Sequence, residues 1–462
     1  MQTSAEEVKF RWSGLTKWLS RGLTFWWFDA NWAFSVPPPN VKYGGSGDGA
    51  DWDGMSNRVW GSHLYYTTVE VYNKMNPTRA HTMPLDRPMV LTKYADGNMH
   101  PGLVQHQHPA QHRYPVWWTG DGVDLQASVQ SMVDSGVYDF KPYVHSDCGG
   151  DYRGKVGGDL MRWAAHCAFG TIHRFHGSDH IPWSYDDHTT DVIRSYLKMR
   201  YALLPSLIAA GHSATFSGFP LVARCDVLYP THAADGASSN EQYLFLNDTL
   251  VAPIWDSSKN LTSQSVWVPP GAWKDAWSGD VVTGPKMMTV QQPYERIPMW
   301  HRSGGLVVLA DDRAALRVDD QDWSTLVLDA HAHGVDASSS SSTTTTTRVV
   351  RERGDATTAE TPATTITMRL ASNKLTFSIS SADNGAERAW VLRVHLPVGR
   401  RVTRAIVDGR EVAATHLAPL SVDDGTFTPF GGRGARPPVR SGHVAELQIP
   451  RSSSPRAIAL EY

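Results

Sequence analysis

HRYPVWWTGD, residues 112–121, carries a short apolar run that leaves a polar stretch and stops on Asp121. LTFWWFD, residues 23–29, does the same and stops on Asp29. The pattern recurs in PMVLT (88–92) before Lys93, in YDFKPYVHS (138–146) before Asp147, and in GTIHRF (170–175) before His176. Short apolar runs bounded by polar residues fit the buried strands of a parallel sheet. Helical patterns lie between them. Residues 59–75 bring Trp60, Leu64, Val71, Tyr72 and Met75 near one face. Residues 124–135 do so with Leu125, Val129, Met132 and Val133, and Gly136 is placed to end that helix. Residues 159–169 predict another helix and 189–210 a single long one. Strands alternating with helices predict a βα fold.

In a (β/α)8 barrel the active site lies at the C-terminal ends of the strands. Five successive strand ends carrying Asp, Lys, Asp, Asp and His are hard to explain as packing. Five strands are fewer than the eight that close a barrel. The expectation is α/β: a partial (β/α)8 TIM-type barrel, strands 4–8, over residues 1–212, with three βα units lacking before it. An open remnant exposes sheet edges, so the 462-residue chain alone is expected to be poorly soluble and inactive.

From about residue 213 the texture becomes short strands and turns, as in YLFLNDTLVAPIW, SVWVPPGAWKDAW and IPMWHRSGGLVVL. These predict two β-sandwich-like domains, 213–313 and 314–462. The tract SSSSSTTTTT, 338–347, reads as a low-complexity insert too polar to pack. PFGGRGARPPVRSG, 429–442, reads as a loop.

Composition narrows the function classes. The chain is 41% hydrophobic and 19% charged, with a formal net charge of −3. No basic excess points to nucleic acid. No apolar stretch is long enough for a membrane segment. The acidic, polar start MQTSAEEVKFRWSG is not a signal peptide, and nothing assigns a compartment. Cys148, Cys167 and Cys225 form no CxxC pair, so neither a disulfide framework nor a zinc site is expected. The histidines of the 95–112 segment, His100, His106, His108 and His112, have mixed spacing and read as a loop, so no metal site is expected. The 18 tryptophans suit a sugar site, where aromatic faces meet pyranose C–H faces, and suit large cores equally.

The motifs together resemble glycoside hydrolase family 31. HRYPVWWTGD is similar to the family's acid/base strand, and FWWFD (25–29) to its nucleophile strand. SDCGG (146–150), HRFH (173–176) and RYALLPSL (200–207) follow in the family's order. LNDTLVAPI, WVPPGAWKDAWSG and RIPMWHRSGGLVVL, between 246 and 309, resemble its first β domain after the barrel. The resemblance implies a retaining α-glycosidase, α-glucosidase-like, with no cofactor and an α-glycoside carbohydrate as substrate. It implies Asp29 as nucleophile and Asp121 as acid/base. It implies sugar contacts from Trp27, Lys93, Arg113, Trp118, Asp147 and His176. The chemistry agrees: retention needs two carboxylates about 5–5.5 Å apart, one ionised and one protonated. Adjacent strand residues point to opposite sides, so one Trp of each pair faces the pocket and the other the core.

Two departures stand out. Asp29-Ala30-Asn31-Trp32 replaces the usual Asp-Met-Asn-Glu or Asp-Trp-Gln-Gln. Lys93 stands where the family carries an Arg, keeping the charge and losing the planar fork. These motivate the rival expectations of a non-catalytic glycan- or partner-binding relative, or an inactive fragment of a longer enzyme.

Overall fold

The computed structural model describes residues 5–28, 57–76, 90–92, 116–120, 123–138, 141–150, 157–177, 179–255, 263–312, 315–318, 320–334, 343–351, 363–371, 373–381, 387–417, 443–452 and 454–462. Helix α1 (Ala5–Leu19) precedes a four-stranded parallel sheet of β1 (Trp26–Phe28), β2 (Val90–Thr92), β3 (Val116–Trp118) and β4 (Tyr143–His145), in that spatial order. Register pairs Phe28 with Thr92, Thr92 with Trp117 and Trp118 with His145. Helices α2 (Asn57–Met75), α3 (Leu125–Tyr138) and α4 (Gly157–Ala168) come between or after these strands, giving the βα alternation. Among the described residues the sheet does not close.

The fifth expected strand is reduced to a single parallel bridge, Cys148 to Phe175. Two backbone bonds hold it: the Cys148 amide donates to the Arg174 carbonyl at 3.0 Å, and the His176 amide to the Cys148 carbonyl at 3.3 Å. Lower down, the Thr171 hydroxyl takes over both backbone groups of Val144, accepting from its N–H at 3.0 Å and donating to its carbonyl. A side chain thus replaces the ladder there.

Two helical expectations change. Gly136 does not end its helix, which runs to Tyr138. A Cβ at Gly136 would meet Pro220 Cβ and the Val222 carbonyl oxygen at 3.1 Å, so the glycine permits close packing. The long helix is two, α5 (Asp187–Ala202) and α6 (Leu204–Ser217), broken where Pro205 removes an N–H and starts a new first turn. The cysteines are also corrected: Cys148 and Cys167 form a disulfide joining the end of β4 to α4. Their pairing depends on tertiary approach, which their 19-residue separation does not reveal.

A six-stranded sheet follows, in the order β5 (Val222–Ala223), β6 (Tyr243–Phe245), β7 (Thr249–Val251), β10 (Met299–Arg302), β8 (Ser263–Asp275) and β9 (Val281–Gln291). Alternation divides its faces: Tyr243, Phe245, Val251 and Met299 join the core around the helices, while Leu244, Leu250, Val266 and Trp300 form a second core. Two further sheets form a sandwich. One runs β11 (Leu306–Ala310), β12 (Thr325–His331), β16 (Arg388–Leu396), β20 (His443–Ser452) and β19 (Thr415–Leu417). The other runs β13 (Thr344–Arg351), β14 (Ala363–Ala371), β15 (Lys374–Ser381), β21 (Arg456–Glu461), β17 (Arg404–Val407) and β18 (Arg410–Val412). Leu326, Leu328, Leu392 and Val394 face Ile366, Phe377, Ile379 and Leu460 across the layer. Leu306–Ala310 pairs with β12, while Val307 and Leu309 on its other face join the core around the helices together with Phe245, Val251 and Met299. Part of the Ser/Thr tract also differs from expectation. Thr344–Thr347 lie in β13, with Thr346 buried and its hydroxyl donating to the Gly304 carbonyl at 2.6 Å. β-Branched threonines suit a pleated surface in spite of their polarity. Residues 429–442 lie outside the described residues.

Candidate active site

The parallel strands sort their tryptophans by side. Trp26 packs edge-on against Tyr65 of α2, ring centroids 5.2 Å apart, and Trp117 joins the core with α3 and α4. Trp27 and Trp118 point the other way and meet edge-on at 5.0 Å. Trp118 is fully buried, whereas Trp27 keeps 40% of its surface exposed. Trp27 sits two residues before Asp29, and Trp118 three residues before Asp121.

Past the end of β4, Asp147 is buried to 1% exposure. Trp118 Nε1 donates to its Oδ1 at 2.9 Å, and the Arg174 guanidinium donates to the same oxygen. His176 Nε2 lies 3.8 Å from Asp147 Oδ2. Arg174 is the hub of this group. Its Nε donates to His145 Nε2 at 3.0 Å, a second nitrogen contacts His176 Nδ1 at 3.1 Å, and its carbon lies 4.3 Å above the Trp27 ring. A guanidinium only donates, so both imidazole nitrogens facing it accept. His145 therefore carries its proton on Nδ1, which reaches the Ser146 carbonyl at 2.6 Å. Burial pushes the His145 imidazole down to about 4, so it is neutral at pH 7. Trp27 and His176 complete the ring of contacts, 5.5 Å apart and edge-on.

The backbone behind this cluster is fixed. The disulfide anchors Cys148, the neighbour of Asp147. Gly149 has φ +112°, and a Cβ there would come 2.3 Å from His180 Nδ1, so the turn after Asp147 requires glycine. The Thr119 hydroxyl donates to Ser146 Oγ at 2.9 Å, tying the ends of β3 and β4.

The structure thus brings together Trp27, Trp118, Asp147 and His176. Asp29, Lys93, Arg113 and Asp121 lie outside the described residues. Arg174 is absent from the residues the sequence singles out, although a signal was present: on an extended segment it shares the face of His176, two residues on. A buried carboxylate held by a guanidinium and an indole N–H, beside an exposed indole face, can bind hydroxyls on one side and a pyranose C–H face on the other.

Comparison with known proteins agrees with this architecture. Residues 2–210 match the glycosyl hydrolases family 31 TIM-barrel domain, and 218–307 the family 31 C-terminal domain. Alpha-glucosidase 2 of Bacillus thermoamyloliquefaciens is 26% identical over 219 residues, 45% of this chain and 27% of that protein. An alpha-xylosidase of Saccharolobus solfataricus is 26% identical over 211 residues, 43% of this chain and 28% of that protein. The matched stretch thus spans little more than a quarter of the length of these relatives. A Flavobacterium johnsoniae GH31 dextranase, solved with isomaltotriose, superposes with a TM-score of 0.71 at 17% identity, covering 100% of this chain and 56% of that one. The fold is therefore part of a TIM-type barrel followed by β-sandwich-like domains. With both family models matched in order, the chain belongs to glycosyl hydrolase family 31.

Proposed function

We propose that this protein is a retaining α-glycoside hydrolase, α-glucosidase-like, that works by double displacement with no cofactor. Asp29 attacks the anomeric carbon while Asp121 protonates the departing oxygen; Asp121 then takes a proton from the water that releases the sugar. Trp27 offers its exposed face to the sugar ring, and Asp147 and His176 bind hydroxyls. Trp118 borders the pocket and holds Asp147. Lys93 and Arg113 supply cationic contacts from the neighbouring strand ends. Arg174 is a positioning residue that orients Asp147, His145 and His176.

One observation carries this reading: Trp27, Trp118, Asp147, Arg174 and His176 meet at the C-terminal ends of the parallel strands that lead into Asp29 and Asp121. The names of the relatives, an alpha-glucosidase and an alpha-xylosidase, support an α-glycoside as the substrate class. The test is replacement of each carboxylate. In a full-length version of the protein, Asp29→Ala and Asp121→Ala are each expected to abolish hydrolysis of an α-linked glucose disaccharide. Azide is expected to rescue Asp29→Ala and give a β-glycosyl azide, since a small anion attacks from the vacated face. Near-normal turnover by Asp29→Ala would overturn the assignment. So would an NMR time course in which the wild type releases the β-anomer first.

A further inference from the structure

Outside the barrel, the sequence LDAHAHG (328–334) ends β12 with alternating polar residues. Alternation places Leu326, Leu328, Ala330 and Ala332 in the sandwich core, so Asp329, His331 and His333 face the other way. On a sheet's outer face these would ordinarily be solvated. Here they are buried: Asp329 is 8% exposed, His331 1%, His333 5% and His395 5%. His395 is the register partner of His331 on parallel strand β16. The six-stranded sheet contributes His301 from β10 and Lys274 from β8, the latter also buried and under the charge of Asp329.

The imidazoles are ordered and under-bonded. His301, His331 and His395 stack with centroids 4.3 and 4.4 Å apart and planes within 18° and 13°. His395 Nε2 reaches Asp329 Oδ1 at 3.0 Å, while His331 Nε2 makes a longer contact, 3.5 Å, with Oδ2. His331 Nδ1 and both ring nitrogens of His333 are buried without a hydrogen-bond partner. Native interiors rarely leave such atoms unsatisfied. One donor atom from each of Asp329, His331 and His395 lies within 4.8 Å of the other two. Zinc makes bonds of roughly 2.0–2.2 Å with imidazole and carboxylate, so binding would draw these three atoms together and turn the stacked rings toward the ion.

We propose that Asp329, His331 and His395 form a binding site for a divalent transition-metal ion of the zinc class, clamping β12 to β16 where the sandwich meets the six-stranded sheet. Two imidazoles and a carboxylate suit such an ion, whereas calcium and magnesium prefer all-oxygen shells. His333, whose ring centroid is 5.8 Å from that of His331, is placed to support the site as a further donor. Lys274 and Arg393 are the cations facing the cluster. Arg393 is largely engaged by Glu446, at 3.1 and 3.2 Å, so Lys274 is the principal competitor for Asp329.

The test uses the untagged full chain, stripped with a chelator and then given cobalt(II) or zinc chloride alone. The expected result is about one equivalent of cobalt bound with a visible d–d absorption band, displaced by zinc, and a zinc-dependent rise in Tm of roughly 3 °C or more. His331→Ala and the milder His395→Gln are expected to lose the band. A variant with His100, His106, His108 and His112 all replaced by Ala is expected to keep it. Absence of binding by the stripped wild type would overturn the proposal, whatever the variants do. Loss of the band in the four-histidine variant with retention in His395→Gln would also overturn it, placing the metal elsewhere.

Discussion

At the residue scale, Arg174 has the most consequential contacts in the candidate site. One guanidinium bonds Asp147, His145 and His176 and covers Trp27. Arg174→Leu leaves a buried carboxylate without its cation and frees His176 to turn, so hydroxyl positioning fails. The expected outcome is a fall in kcat of about 100-fold or more, since small misplacements cost that much. Arg174→Lys should recover little, because an ammonium lacks the fork that reaches several acceptors at once. A rise in KM with kcat intact, in either variant, would mean that Arg174 strengthens binding of ground state and transition state equally and does not position the reacting groups. Part of this site was legible in the sequence: strand alternation made one tryptophan of each pair face inward, and Trp27 and Trp118 lie together on one side of the sheet. The hub itself was not. Nothing in HRFH states that its arginine reaches back to the aspartate 27 residues earlier; that contact exists only once β4 and the 170–176 segment lie side by side.

At the element scale, apolar runs ending on polar residues gave the parallel order, and β1 to β4 lie in sequence order. Element ends were harder to read. Gly136 resembled a stop signal because its tight contact with Pro220 is tertiary, and Pro205 was hidden inside an otherwise helical pattern. The Thr344–Thr347 strand was masked by low complexity, since polarity suggested solvent while pairing with β14 supplied the partners. The disulfide could not be read from spacing, and it bears on the site through Cys148. Closing a loop of 19 residues, it restrains the unfolded chain, and Cys167→Ser is expected to cost about 3 kcal/mol. Because the Cys148 backbone bonds Arg174 and His176, the same change should raise KM as well. Urea unfolding and steady-state kinetics on the variant check both effects. An unchanged unfolding midpoint would show that the bridge does not constrain this region.

At the scale of the whole molecule, several histidines share one electrostatic condition. Burial pushes His145 and His166 down to about 4 and His173 to about 3, from an ordinary value of 6.5. Unfolded, each takes a proton near pH 6.5; folded, each resists it until pH is far lower. Stability is therefore intact above about 6.5 and is lost as pH falls below it. At pH 5 each group that keeps such a shift costs about 2 kcal/mol. The urea midpoint of the barrel region is expected to drop steeply between pH 7 and pH 5, and a flat profile would contradict the burial of these rings. The sheets are joined by a second buried charge. Burial opposes ionisation of Asp248, yet Arg348, Arg302 and the Leu306 amide hold its carboxyl below the usual range, linking the β6–β7 turn to β10, β11 and β13. Such long-range ion pairs leave no local trace in sequence.

The central claim is that the strand-end cluster serves a nucleophilic carboxylate at Asp29. It is tested most directly by trapping the glycosyl-enzyme with a fluorinated α-glucosyl fluoride, which slows release of the covalent intermediate, followed by intact-mass and peptide mapping. The account predicts one glycosyl adduct per chain, esterified to Asp29 and absent from Asp29→Ala. An adduct on another carboxylate, or no adduct at all from a probe that occupies the site, would contradict it.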